Sequence, residues 1–268
     1  MSTPLVSILI PVYNTSAYLT RAIQSILDQQ YTPMEIILIN DGSTDASESI
    51  IQTFKDPRIR YVTHEQNMGL VYTLNEGIDL STGRYIARMD GDDVCLPGRI
   101  VQQVAYLEAH PEVSVLATRV SLINEQDEPI GYWEADQQNI EPEQIRSFLP
   151  KDNCLAHPSI MAKAELLKKY KYRSEQSQAE DYDLWLRMAA DGILIHKLPE
   201  VFVQHRIVHN SFTRSRQQNV FRKLATTKFR FVGHALSQGR WNGFVWKTLA
   251  FACLDQIKAI GKTLKKSA

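Results

Sequence analysis

The sequence predicts an α/β fold in which a mostly parallel sheet is flanked by helices, with a helical extension at the C-terminus. Over the first ninety residues, short apolar runs typical of strands alternate with segments whose apolar residues recur at helical spacing. This short period indicates parallel strands joined by helical crossovers. The chain has 268 residues, of which 44% are hydrophobic, so it can build one large core.

The predicted strands and helices follow in regular order as far as residue 89. The strands are the apolar runs at residues 5–12, 35–39, 59–63 and 85–89. The helices between them carry Leu19, Ile23 and Ile26, then Ile50, Ile51 and Phe54, then Leu70, Leu74 and Ile78. We expect Gly83 to close the third helix at its C-terminus.

After the fourth predicted strand the alternation ends. Apolar spacing predicts a helix over residues 100–107 and a further strand over 113–123. A polar hairpin-like region follows at 124–136, and helix-rich segments occupy 142–170 and 181–190. No long Gly/Ser linker separates the two halves, so we expect the second half to pack directly on the first.

Polar side chains follow each of the first four strands at the point where the strand ends. They are Tyr13 and Asn14, then Asp41, then Asn67, then Asp90 and Asp92. Parallel strands bring their carboxyl ends to one edge of the sheet, and open α/β sheets bind ligands there. The sequence therefore predicts a ligand site at this edge.

Residues 90–93 read Asp-Gly-Asp-Asp. Two carboxylates one residue apart, Asp90 and Asp92, can both reach Mg²⁺ or Mn²⁺, whose other positions water and phosphate oxygens fill. The alternative is an ordinary Asp-Gly turn whose acids cap the next helix. The position at the sheet edge favours the metal.

Residues 41–45, Asp-Gly-Ser-Thr-Asp, end the second predicted strand. Asp41 can accept hydrogen bonds from a nucleobase or a ribose, while Ser43 and Thr44 can cap the following helix, although ordinary turns use the same residues. The sequence has no Walker-type phosphate loop and no G-x-G-x-x-G motif. Phosphates are therefore expected to be bound by metal and side chains.

Glu180 and Asp181 open a predicted helix, and a carboxylate here can act as a general base towards an attacking hydroxyl. Acids in a first helical turn are also favoured by the helix dipole alone. Trp185, one turn later, is either a core residue or a platform on which a sugar stacks.

Two histidines lie in polar loops, where such residues are commonly solvated or hydrogen-bonded rather than ligands. His157 precedes a proline on the predicted acceptor side of the site. His209 lies between Arg206 and Arg214, a grouping that can bind a diphosphate.

Charge is distributed unevenly although the net charge is zero. Residues 206–268 hold 13 Lys or Arg and one acid, Asp255, whereas residues 1–205 hold 17 basic and 29 acidic residues. The basic tail includes Trp and Phe and has no 18-residue uncharged run, which predicts contact with an anionic membrane surface rather than a membrane span. The alternative is a solvated face of helices that pack on the catalytic part, and no nucleic-acid motif is present.

The three cysteines, Cys95, Cys154 and Cys253, are odd in number and far apart. They indicate a reducing compartment. The apolar start at residues 6–12 is not preceded by Lys or Arg and is interrupted by Pro11, so it is expected to be a strand rather than a signal peptide. We expect a cytoplasmic protein that lies peripherally on the inner face of the membrane.

In this order, the motifs resemble those of the inverting glycosyltransferases of family 2, which have the GT-A fold with a Rossmann-like sheet. The likeness covers roughly residues 5 to 215, and six motifs in order make it specific. The matching segments are residues 6–14, 39–45, 67–78, 83–93, 180–185 and 206–209.

The resemblance implies roles for residues of this chain. Pro11, Tyr13, Asn14, Asp41 and Asn67 match the nucleoside site, with Asp41 reading the base. Asp90 and Asp92 match the D-x-D pair that holds Mg²⁺ or Mn²⁺ against the donor diphosphate, and His209 falls where some members place a further metal or diphosphate contact. Asp181 matches the catalytic base, with Glu180 beside it. The sequence leaves open which of Asp90, Asp92 and Asp93 contact the metal, and the alternative role of Asp93 is to start the next helix.

The implied function is transfer of a sugar, with inversion, from a nucleotide-diphosphate donor to a glycan or lipid-linked acceptor in cell-surface polysaccharide biosynthesis. A UDP-sugar is the family's usual donor. Residues 1–95 would bind the donor, residues 96–215 the acceptor within the same domain, and residues 216–268 form the basic amphipathic tail. A sugar-phosphate nucleotidyltransferase is one alternative, although no Gly-rich, Arg/Lys-bearing loop follows the first strand. A non-catalytic membrane-associated module is the other, although Asp90, Asp92 and Asp181 argue against it.

Overall fold

A computed structural model describes residues 3–176, 178–208 and 220–267, with side chains as far as residue 262. The strands are β1 (Val6–Val12), β2 (Met34–Asn40), β3 (Ile59–Thr63), β4 (Tyr85–Arg88), β5 (Val94–Cys95), β6 (Val115–Ile123), β7 (Pro129–Tyr132), β8 (Met161–Lys163) and β9 (Ile195–Arg206). The helices are α1 (Ser16–Leu27), α2 (Ser47–Thr53), α3 (Leu70–Leu80), α4 (Arg99–Ala109), α5 (Glu134–Gln138), α6 (Pro142–Phe148), α7 (Ala164–Tyr170), α8 (Glu180–Ala190), α9 (Val220–Ser237) and α10 (Gly243–Ser267), with a 3₁₀ turn at His157–Ser159.

Within these described residues the strands form one sheet in the order β3-β2-β1-β4-β8-β6-β9-β5, with β7 paired to β6. The predicted parallel arrangement of β1 to β4 is confirmed. The second half continues the same sheet through mixed pairings: β8 is antiparallel to both β4 and β6, whereas β9 is parallel to β6. Both halves therefore share one sheet, and β4 contacts the 3₁₀ turn at His157–Ser159 of the second half.

The core lies on both faces of the sheet, as the continuous apolar runs of β1 and β2 require. Successive residues of a strand point to opposite faces. Ile8 and Ile10 therefore pack in the cluster that includes α1, whereas Leu9 and Ile37 pack in the cluster that includes α3 and α8. All four are at most 2% exposed.

The end of α3 differs from the prediction that Gly83 closes it. The helix ends at Leu80, and the Ser81 hydroxyl donates to the carbonyl of Gly77 at 2.7 Å. Gly83 instead lies against β1, where an added Cβ would come within 2.7 Å of the Ser7 nitrogen. The glycine is required by this close approach of two backbones rather than by a helix terminus.

The predicted helical C-terminal extension is confirmed: α9 and α10 pack against each other, and α9 contacts α8. Phe231 of α9 meets Phe244 of α10 edge-to-face, with ring centroids 6.3 Å apart. A buried ion pair joins Lys228 to Asp255 at 2.6 Å. Among the described helices, none combines the length and apolar character needed to cross a bilayer.

Candidate active site

The loops after β1 and β2 are joined by hydrogen bonds at the predicted edge of the sheet. Asn14 has a left-handed backbone conformation (φ 53°). Its backbone nitrogen donates to the Ser43 hydroxyl at 3.1 Å, and its side-chain Oδ1 accepts from the backbone nitrogen of Thr44 at 2.8 Å. Asp45 accepts from the backbone nitrogen at the start of α1 at 2.9 Å. Tyr13 is 47% exposed beside these bonds, so its ring is available to a ligand.

Asp41 is almost fully buried and holds the loop that follows β3. Its two oxygens accept from the backbone nitrogens of Met68 and Gly69 at 2.7 and 2.9 Å, and His64 Nδ1 lies 2.7 Å from Oδ1. The neighbouring Gly42 has φ 66°, and a Cβ there would lie 2.4 Å from the Gln66 backbone. The Asp41 carboxylate is thus engaged within the protein, and the exposed Asn67 lies in the loop that it orders.

An open pocket of about 440 Å³ lies beside this loop. Its lining residues are His64, Glu65, Gln66, Met68 and Tyr72. His64 and Tyr72 meet edge-to-face with ring centroids 5.5 Å apart. The pocket has the aromatic and polar lining that a nucleoside requires.

His64 lies between two carboxylates, because its Nε2 is also 2.7 Å from Glu76. Burial alone would lower the pKa of His64, but the hydrogen bonds to Asp41 and Glu76 outweigh it and raise the pKa. A histidine whose folded pKa is raised stabilises the protein below its unfolded pKa of about 6.5, and this contribution is lost as pH rises through the folded value.

We therefore expect the His64→Gln variant to lose more stability at about pH 6 than at about pH 9. Urea unfolding of wild type and variant at both pH values measures the difference. The control is His110→Gln, whose ring is 45% exposed and for which a small effect is expected at either pH. Equal losses for His64→Gln at the two pH values would contradict the role assigned to this pair of carboxylates.

The acidic loop after β4 is tightly held. Asp90 forms a two-point ion pair with the buried Arg88. Gly91 passes close to α1, since an added Cβ would come within 2.9 Å of the Thr15 hydroxyl. Asp93 is fully buried and accepts from the backbone nitrogen of Arg206 at 2.8 Å. Asp93 therefore joins this loop to the end of β9. It does not start a helix as predicted, because β5 follows it directly and α4 begins only at Arg99.

A group able to hold a metal forms where this loop meets β9. One ligand atom from each of Asp90, Asp93 and His205 lies within 4.8 Å of the others. The two carboxylates suit Mg²⁺ or Mn²⁺, whereas the imidazole is a ligand more typical of transition ions. His205 Nδ1 lies 3.1 Å from Asp93, a pairing that orients the ring.

The charges of this group also fit a cation. Burial, followed by the charges of Asp93 and Asp90, raises the pKa of Asp92 to about 7. Burial would lower the pKa of His205, but the carboxylates, Asp93 first, raise it to about 9. A divalent cation would relieve this crowding of carboxylates and displace the proton from the imidazole.

The structure thus brings together part of the predicted metal set and adds to it. Asp90 belongs to the group, whereas Asp92 lies beside it and is not one of the three converging residues found in the described part of the chain. His209 lies outside the described residues. The sequence left open which of Asp90, Asp92 and Asp93 contact the metal, and Asp93 is one of the converging residues. His205 was missed because it meets Asp93 across 112 positions of sequence, and no local pattern signals such a pairing.

The predicted acceptor-side acids lie in the first turn of α8. The chain enters the helix through Ala179 in a left-handed conformation (φ 56°), which a non-glycine residue adopts only under strain. Asp181 is 8% exposed, and its Oδ2 accepts from Asn153 Nδ2 at 2.9 Å. Asn153 Oδ1 in turn accepts from the Leu155 nitrogen at 3.0 Å, which fixes the orientation of the amide. Asn153 was not predicted, and nothing in the sequence around it signals this contact.

Glu180 and His157 meet beside Asp181. His157 Nδ1 lies 3.9 Å from Glu180 Oε1, and its Nε2 lies 2.6 Å from the Tyr172 hydroxyl. Trp185 is fully buried and faces the His157 ring edge-on at 6.1 Å. Its ring is covered by the core, so of the two readings of Trp185 the structure supports the core residue and not a sugar-stacking platform.

Tyr172 connects the two sides of the site. It is buried, and burial raises the pKa of its hydroxyl; the charge of Arg88 opposes this rise, while the charges of Glu180 and Asp181 add to it. Its hydroxyl lies 2.6 Å from His157 Nε2, and His157 Nδ1 lies 3.9 Å from Glu180 of α8. The backbone nitrogen of Tyr172 donates to Asn75 Oδ1 at 2.9 Å, which ties this segment to α3.

Comparison with known proteins assigns this arrangement to a family. The model named glycosyl transferase family 2 matches residues 7–171. The chain belongs to this family. The O-antigen biosynthesis glycosyltransferase WbnJ of Escherichia coli is 33% identical to this family 2 glycosyltransferase, over 78% of this chain and 82% of that protein. The amylovoran biosynthesis glycosyltransferase AmsE of Erwinia amylovora is 28% identical over 91% and 90%.

Solved structures agree with the fold of this family 2 glycosyltransferase. Residues 1–349 of Staphylococcus aureus TarS superpose with a TM-score of 0.71 at 17% identity, over 94% of this chain and 72% of that one. The mannosyltransferase PcManGT of Pyrobaculum calidifontis, in complex with GDP-Man and Mn²⁺, gives a TM-score of 0.62 at 17% identity, over 97% and 76%. The predicted GT-A fold is confirmed, and the protein is a glycosyltransferase.

Proposed function

We propose that the protein transfers a sugar, with inversion, from a nucleotide-diphosphate donor to a glycan or lipid-linked acceptor of a surface polysaccharide. The turn at His157–Ser159 carries this proposal. The backbone nitrogen of Arg88, the partner of Asp90, donates to the Ile160 carbonyl at 2.9 Å directly after the turn, and His157 lies 3.9 Å from Glu180 of α8. Relatives named for O-antigen and amylovoran biosynthesis support a polysaccharide product. A UDP-sugar is the proposed donor, and TarS has been solved with UDP and with UDP-GlcNAc.

Residues 1–95 bind the donor in this proposal. The pocket beside the 64–69 loop receives the nucleoside in this proposal, and Tyr13, Asn14 and Asn67 contact it from the neighbouring loops. Pro11 lies inside β1, where it pairs with Ile39 of β2, just before Tyr13 and Asn14. Because both oxygens of Asp41 already accept backbone hydrogen bonds, Asp41 acts on the nucleoside by holding the loop that contacts it.

Residues 96–215 supply the acceptor side. Asp181, oriented by Asn153, takes the proton from the acceptor hydroxyl as its oxygen attacks the anomeric carbon. The attack comes from the face opposite the diphosphate, so one carbon–oxygen bond forms as the bond to the leaving nucleoside diphosphate breaks. A single displacement of this kind inverts the anomeric configuration. Glu180 and His157 line the same side.

Asp90, Asp93 and His205, with Asp92 beside them, are the residues that would hold Mg²⁺ or Mn²⁺. When bound, the ion supplies positive charge against the diphosphate. Arg88 fixes the position of Asp90, and Arg206 holds the loop by donating from Nε to the carbonyl of Asp92 at 2.8 Å. The reaction is placed at the cytoplasmic face of the membrane, where lipid-linked acceptors are available.

Ligand binding and product stereochemistry test the proposal. We expect a UDP-sugar to raise the melting temperature in the presence of Mn²⁺ and to do so less without it, because a ligand that binds the folded state stabilises that state. GDP-sugars serve as the comparison. NMR of the product is expected to show the anomeric configuration opposite to that of the donor.

Two results would contradict the assignment. Retention of configuration would exclude a single displacement with Asp181 as base. A nucleotidyltransferase would be favoured if no nucleotide sugar raised the melting temperature and a nucleoside triphosphate raised it instead.

A further inference from the structure

Helix α10 has two faces with different surroundings. Its inner face is buried against the rest of the protein through Val245, Thr248, Ala252 and Asp255. Its outer face carries a second apolar row, made of Trp246, Ala250, Cys253, Ile257 and Ile260, with Leu254 next to it. Spacings of three and four residues keep each row on one side of a helix.

The outer row, called here the outer stripe, is strongly exposed. Ile257 is 65% exposed, Ile260 53%, Leu254 48% and Trp246 46%. Trp241, 63% exposed, adds a second indole beside Trp246, with ring centroids 5.7 Å apart. Single exposed apolar residues are common, but a continuous stripe on one helix indicates a surface that something covers.

The charges beside the outer stripe are positive. Lys247, Lys258 and Lys262 are exposed along one flank of α10. Lys247 Nζ donates to the Ser147 carbonyl at 2.9 Å, and the Nζ atoms of Lys258 and Lys262 lie over the Phe221 ring, 5.2 and 4.6 Å from its centroid. The single acid of residues 206–268 does not balance them, because Asp255 lies on the inner face, 5% exposed, and pairs with Lys228. The outer side of this helix therefore combines apolar side chains with lysines whose partners in the described structure are a carbonyl and an aromatic ring and not acids.

We propose that the outer stripe lies in the headgroup region of a bilayer that contains anionic phospholipid. Tryptophan and aliphatic side chains bury shallowly at such an interface, while lysines extend to the lipid phosphates. Charge decides against a second copy of the chain as the partner. Paired helices place opposite charges beside their apolar seam, and two copies of α10 would bring lysines together without acids.

The surface is coupled to the proposed active site. Lys228, which pairs with Asp255 of α10, also donates to the carbonyl of Lys151 at 2.5 Å. Two residues further on, Asn153 binds Asp181. Membrane contact through α10 would thus hold the acceptor side at a fixed height above the lipid, where a lipid-linked hydroxyl can be presented. This inference extends the proposed membrane location and does not depend on the identity of the donor.

Vesicle flotation with the full-length protein tests the proposal. The probes are vesicles of phosphatidylcholine alone and vesicles with about one third phosphatidylglycerol. We expect wild type to float with the anionic vesicles and to be released by about 0.5 M salt. Two variants should each bind the anionic vesicles with an affinity at least about tenfold lower than wild type. They are the stripe variant Trp246→Ser/Ile257→Ser/Ile260→Ser and the charge variant Lys247→Gln/Lys258→Gln/Lys262→Gln. Val101→Ser, which removes a 38% exposed apolar residue from α4, should bind as wild type.

Three outcomes would overturn the inference. They are wild-type binding by both variants, equal binding to neutral and anionic vesicles, and a concentration-dependent dimer that the stripe variant abolishes while no lipid binding is seen. All substituted side chains are exposed, so melting temperatures near wild type are expected and are measured alongside. Donor hydrolysis without vesicles reports on the proposed function separately, since it should be unchanged in every variant.

Discussion

The Asp181→Asn variant should lower kcat by about 10²-fold or more while leaving donor affinity nearly unchanged. In the structure this carboxylate is 8% exposed and accepts from Asn153 at 2.9 Å. An asparagine oxygen can still accept that hydrogen bond, so the side chain is expected to keep its place. What the variant loses is the ability to take a proton from the acceptor hydroxyl.

Steady-state kinetics with a saturating acceptor, together with calorimetric titration of the donor, measures the two effects separately. Glu165→Gln is the matched control, because it removes an exposed carboxylate from α7, and wild-type kinetics are expected for it. A wild-type kcat for Asp181→Asn would remove the base assignment. Tenfold weaker donor binding at unchanged kcat would move Asp181 to the donor site.

The Lys228→Met variant should lower the free energy of unfolding by about 3–5 kcal/mol. Lys228 Nζ is buried, pairs with Asp255 at 2.6 Å and donates to the Lys151 carbonyl. Burial lowers the pKa of Lys228 despite this partner. Removing the ammonium leaves Asp255 charged, buried and unpaired, a change that costs far more than the intact pair contributes. The free energy of unfolding of a protein domain is about 5–15 kcal/mol, so this loss is a large fraction of the total stability.

Urea unfolding of three variants tests this explanation. The double variant Lys228→Met/Asp255→Leu should recover much of the stability, since it leaves no buried charge. Arg84→Met breaks an ion pair whose arginine is 57% exposed, and it should cost less than about 1 kcal/mol. If the double variant were as unstable as the single one, the loss would come from packing and not from the stranded carboxylate.

The first three strands could be predicted from sequence because β1 and β2, and β2 and β3, are neighbours joined by a single helix. β4 was predicted from its apolar run, although it pairs with the distant β1. The apolar runs of β1 and β2 are buried on both faces and therefore stand out. The strands of the second half of the sheet were harder to predict from sequence. β8 has three residues and lies between β4 and β6, and its pairing is decided by long-range packing that leaves no periodic pattern.

The candidate site divides in the same way. Polar residues at strand ends, such as Asn14 and Asp90, follow from the parallel topology. The partners that orient these residues do not, because Asn153 and His205 reach Asp181 and Asp93 across long stretches of chain. The tail helices were predicted from their apolar spacing and basic charge, whereas the burial of Lys228 and Asp255 between them was not.

The Lys228–Lys151 hydrogen bond bears on how this enzyme can be shortened for study. A fragment that stops before Val220 lacks Lys228 and therefore leaves the Lys151 carbonyl without this hydrogen-bond donor. Lys151 is two residues from Asn153, the partner of Asp181. Weak turnover by such a fragment would then result from a less ordered loop around Lys151 and Asn153, and not from the absence of lipid. Residues 220–262 therefore pack as part of the same folded unit as the proposed active site and should not be removed as if they were only an anchor. Surface substitutions on α10 separate the loss of membrane contact from the loss of support for the loop at Asn153.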